Sequence, residues 1–135
     1  MLRLHRFRPR HDRIRFRQRA RSHPVLPLTE GIFQPLCSAG YPIDLLKGAT
    51  YENATCAFPP GSTLFLYSDA LIETPEPPNA VFTAQSLCEF LQRIPPGATP
   101  DNQQKLVLEH LRKTGMDKPE DDLTIVVLKS ERAVR

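Results

Sequence analysis

No apolar run in the sequence approaches the ~18–20 residues that cross a bilayer, so no membrane segment is expected. The N-terminus has no apolar stretch of the kind a secretory signal carries, and no such signal is expected. No CxxC pair occurs. The three cysteines, Cys37, Cys56 and Cys88, are widely spaced and odd in number, which indicates neither a zinc site nor a disulfide framework. They read as reduced thiols of a cytoplasmic protein. GxGxxG and Walker patterns are missing, so no nucleotide cofactor is implied. His5, His11, His23 and His110 lack metal-ligand spacing, and His110 reads as a surface or satisfied helix residue. No internal repeat or long low-complexity stretch is present. What remains is a chain of 135 residues, long enough for one domain with one modest core.

Charge divides the chain. Of 18 basic and 15 acidic residues, nine arginines and one aspartate fall in residues 1–22, a net of +8, which leaves −5 on residues 23–135. Residues 1–22 therefore read as a basic arm. Along it Arg13, Arg15, Arg17, Arg19 and Arg21 alternate with other side chains. Period two would place all five on one face of a strand, and a disordered arm is the other reading. So many arginines attract phosphate in a salt-dependent way. Beyond Phe7 and Phe16 there is little aromatic interleaving, and no DNA-binding motif is recognised, so no specific nucleic-acid partner is expected. The composition also mimics a mitochondrial presequence, with nothing else in support.

Further along, short apolar stretches at 25–28 and 32–34 flank Thr29-Glu30-Gly31 and suggest a hairpin. Pro59-Pro60-Gly61 marks a tight turn. The nearly continuous apolar run at 62–68 predicts a strand covered on both faces. The proline-rich stretch 74–79 must be a loop. Thr83 can cap a helix over 84–94, where Leu87, Phe90, Leu91 and Ile94 recur at helical spacing. A second helix is expected over 101–114, with Gly115 as its stop. The β-branched run 123–128 predicts a last strand in a central, buried position. Short strands, a long strand, two helices and a strand fit an α+β domain with helices packed on antiparallel strands.

Two places could carry chemistry. The strand at 62–68 delivers Asp69 as it emerges, with Glu73 four residues later. Asp121 and Asp122 stand at the mouth of the last strand. If both strands release their carboxylates at one end of a sheet, the cluster suits hard cations such as Mg²⁺ or Mn²⁺. The plainer reading is a turn or cap for Asp69 and a solvated acidic pair for Asp121 and Asp122.

Residues 66–74, LYSDALIET, resemble the LYTDGLIEA segment of PPM-type metal-dependent serine/threonine phosphatases of the SpoIIE branch. Residues 120–129, EDDLTIVVLK, are similar to the closing DDLTLVVLR segment of that branch. The stretch Gly40-Tyr41-Pro42-Ile43-Asp44-Leu45-Leu46 is similar to its G-x-PLG stretch. Tyr51-Glu52 followed by Phe58-Pro59-Pro60-Gly61-Ser62 follows its YE and PGD pattern. Ser22-His23-Pro24-Val25-Leu26 weakly resembles its AGHPP hairpin. Each match alone is weak, and their shared order and spacing make the resemblance specific over residues 23–130.

The resemblance implies a partial PPM-phosphatase-like antiparallel β-sandwich with two flanking helices, formed by the C-terminal half of the family domain, with 131–135 as a tail. It implies Asp69 and Asp121 as metal ligands for Mn²⁺ or Mg²⁺. Asp122 would stand just behind them, as would Ala70, at the family's glycine. The reaction implied is direct attack of water on a phosphoserine or phosphothreonine, without a phosphoenzyme. The implied partner is a phosphorylated regulatory protein akin to an anti-sigma-factor antagonist, in bacterial signalling. The family's GGDWYD-like and DVxGHG-like motifs, which supply the bridging carboxylate, are not in the chain. The expectation is therefore a truncated or degenerate member, with residues 1–22 disordered or non-native. A missing N-terminal half would be a partner. The alternative is a non-catalytic, phosphatase-like interaction module.

Overall fold

The computed structural model describes residues 2–8, 13–18, 26–29, 32–33, 46–50, 54–73, 80–115 and 122–131. Its centre is the strand Thr63–Tyr67 (β6, counting strands along the chain). Alternating side chains on β6 enter two different apolar layers. Phe65 and Tyr67 join a cluster with Phe82, Leu87, Leu91 and Val107, whereas Leu64 packs with Phe58, Cys56 and Leu66 on the other face. The expectation of a strand covered on both sides is met, and a nearly continuous apolar sequence is the consequence.

β6 lies inside a four-stranded antiparallel sheet. Leu26–Thr29 (β3) pairs with it on one side and Ile125–Lys129 (β7) on the other, and Ile32–Phe33 (β4) continues the order β4-β3-β6-β7. The expected hairpin is present as β3 and β4, with Leu28 opposite Phe33. β7 departs from expectation. It ends the described sheet order, and Val126 and Leu128 are exposed. One face of β7 meets a helix and its other face lacks such a layer among the described residues. β-branched residues favour a pleated strand whether or not both sides are covered, so their run did not distinguish an edge from a centre.

A second sheet contains Leu2–Arg8 (β1), Arg13–Gln18 (β2) and Ala54–Ala57 (β5), antiparallel in the order β1-β2-β5. The Arg-rich segment expected as a disordered arm is thus paired, as its period-two alternative allowed. Cys56 of β5 sits opposite Ile14 and packs into the Phe58–Leu64 layer, which links this sheet to the first.

Three helices follow the strands. A single turn, Ala70–Glu73 (α1), was not anticipated from sequence. Ala84–Gln92 (α2) is capped by Thr83: its hydroxyl accepts from the Ser86 N–H at 3.1 Å, and the Ser86 hydroxyl accepts from the Thr83 N–H at 2.8 Å. The reciprocal pair satisfies two donors that a helix start otherwise leaves without a partner. Pro100–Lys113 (α3) begins one residue earlier than its apolar pattern suggests. Thr99 caps it and Pro100 occupies the first turn, where a missing N–H costs nothing. It stops at Gly115, whose φ of 88° is a conformation that favours glycine. His110 of α3 is half-buried, its ring 5.0 Å from Phe82 and 4.8 Å from Phe90. It is a core-edge residue joining the helices.

Side-chain bonds fasten the helical layer to the sheet. The Gln92 amide donates to the Phe33 carbonyl at 3.3 Å, and the Gln104 amide to the Ile125 carbonyl at 3.3 Å. Lys129 Nζ donates to the Ala98 carbonyl at 3.1 Å. The predicted loop at 74–79 lies outside the described residues, as do residues 40–45 and 51–53.

Candidate metal centre

The ends of β6 and β7 are joined by one hydroxyl. Tyr67 pairs with Ile125, and beyond that pair the Ser68 N–H donates to the Thr124 carbonyl at 2.9 Å. Ser68 Oγ accepts from the Thr124 N–H at 2.9 Å and donates to the Asp122 carbonyl at 2.8 Å. A small hydroxyl can serve as donor and acceptor at once, so it closes a ladder that the backbone alone has left. The clamp brings the main chain of Asp122 against the residue that precedes Asp69.

Asp69 is half-buried at the top of β6, and its Oδ1 accepts from the Ala70 N–H at 3.2 Å. The chain then turns at once into α1, where Leu71 N–H donates to Ser68 O at 3.1 Å and Ile72 N–H to Asp69 O at 2.8 Å. Leu71 is wholly buried and anchors the turn from below, and Ala70 is buried beside it. The rigid frame under Asp69 is therefore a buried strand on one side and a buried leucine on the other.

Of the residues expected at the site, Asp69, Ala70 and Asp122 are thus gathered at one end of one sheet. Asp121 lies outside the described residues, next in sequence to Asp122. Among the described residues no group of three or more His, Cys, Asp or Glu side chains comes together. A carboxylate held at a strand end fits one ligand position of a hard divalent cation, and Mg²⁺ commonly takes only one or two carboxylates from a protein. Ser68 is the residue that sequence reasoning missed. The available signal was a small hydroxyl residue placed between a buried strand and an aspartate, a common turn-forming position.

The described thiols are unsuited to nucleophilic work. Burial pushes the Cys56 thiol up from its ordinary value. Burial does the same to Cys88, with the neighbouring Glu89 carboxylate adding to the rise. Both therefore stay protonated and unreactive at neutral pH.

The family model described as Stage II sporulation protein E (SpoIIE) matches residues 4–131. The match begins within β1, so the Arg-rich strands lie inside the matched region and are not ahead of it. Among solved structures, the chain is similar to the phosphatase domain of the cell fate determinant SpoIIE from Bacillus subtilis, with a TM-score of 0.66 at 18% identity over 95% of this chain and 57% of that one. It is similar to the RsbU and RsbW domains of a Mycobacterium tuberculosis protein, with a TM-score of 0.72 at 20% identity over 90% of this chain and 33% of that one. The SiaA-PP2C domain of Pseudomonas aeruginosa gives a TM-score of 0.62 at 18% identity, with 90% and 48% covered. The chain thus spans from a third to somewhat over half of these structures. No curated protein matches it in sequence. Among the described residues no helix is long and apolar enough to cross a membrane.

Proposed function

The chain belongs to the SpoIIE family, and from that premise we propose that it supplies one half of a metal-dependent phosphoprotein phosphatase centre. The observation that carries this reading is the Ser68 clamp, which holds Asp69 and the main chain of Asp122 at a common sheet end. In this reading Asp69 and Asp121 hold the ion, Mn²⁺ or Mg²⁺, while Ser68 and Asp122 fix the strand ends behind them. When bound, such an ion supplies charge neutralisation for a phosphoryl group and acidifies water. The role of the chain is to hold Asp69 rigidly on β6 and Leu71, so that its carboxylate needs no reordering when a cation arrives. Ala70 N–H, which now donates to Asp69 Oδ1, keeps that carboxylate oriented.

The remaining carboxylates would come from a complementary N-terminal half. Support for such a partner is the exposed apolar face of β7, where Val126 and Leu128 stand uncovered at the end of the described sheet. The substrate class is a phosphoserine or phosphothreonine protein of a bacterial signalling circuit, in the cytoplasm. A second reading, a non-catalytic module that binds a phosphoprotein without turnover, is favoured by the absence of a three-ligand cluster among the described residues.

Calorimetry with Mn²⁺ on the full chain, beside Asp69→Asn and Asp121→Asn, tests the site directly. Weak binding that each variant abolishes is expected, with phosphopeptide hydrolysis appearing only when a SpoIIE-type N-terminal half is co-expressed. Binding that survives both substitutions would place the ion elsewhere and remove the reading. Tight phosphopeptide binding without turnover in the presence of that half would select the non-catalytic module.

A further inference from the structure

We draw no further inference here: the strongest candidate, the exposed apolar face of β7 around Val126 and Leu128, already enters the proposed function as the docking face for a complementary half, and nothing among the described residues shows what else covers it.

Discussion

Ser68 places two hydrogen bonds on one oxygen, at 2.8 and 2.9 Å, across 54 and 56 residues of sequence. Removing the hydroxyl takes one partner from the Thr124 N–H and one from the Asp122 carbonyl, both at exposed positions. Ser68→Ala should cost about 0.5–1.5 kcal/mol, the net worth of a hydrogen bond whose groups water can reach, and Ser68→Thr should recover most of it. Urea denaturation of the three proteins measures this. A loss below about 0.3 kcal/mol, within the ordinary scatter of surface substitutions, would mean that the strand ends are held by something else. The same residue bears on the metal reading. If Asp69 depends on the clamp for its position, the alanine variant should weaken Mn²⁺ binding more than its stability loss explains.

At the level of elements, α2 tests how local chemistry sets a boundary. Its start rests on the Thr83–Ser86 reciprocal cap, and no acidic residue in its first turn assists. Thr83→Ala should therefore destabilise by about 1 kcal/mol, with Thr83→Ser nearly neutral, as read by thermal melting. Elements with signals of this kind were legible in sequence: Thr83 as a cap, Gly115 as a stop, and the apolar run of β6. Elements whose character depends on distant neighbours were not. β7 has the composition of a central strand and sits at the end of the described sheet, because residues 123–128 say nothing of what lies beyond Val126. The one-turn α1 is too short to show helical periodicity, and it owes its existence to the Ser68 and Asp69 carbonyls and the buried Leu71. At the candidate site, Asp69 stands out in sequence because the buried strand β6 delivers it, and Asp122 because it comes just before the apolar run of β7, while Asp121 lies outside the described residues. Ser68 does not stand out, because a hydroxyl that clamps a distant strand looks in sequence like any turn serine.

Across the whole molecule, the sheet of β3, β4, β6 and β7 shares a broad apolar layer with α2 and α3, in which Phe65, Leu87, Leu91 and Val107 are almost fully buried. Stability should concentrate there, since segments with few buried contacts open at lower free energy than the core. Native-state hydrogen exchange should find the slowest amides in β6 and α3. The layer around Phe65 is where α2 and α3 meet β6, so its opening should require all three to separate together. Slowest amides in α1 or in β7 instead would mean that this layer is not the last part of the molecule to open.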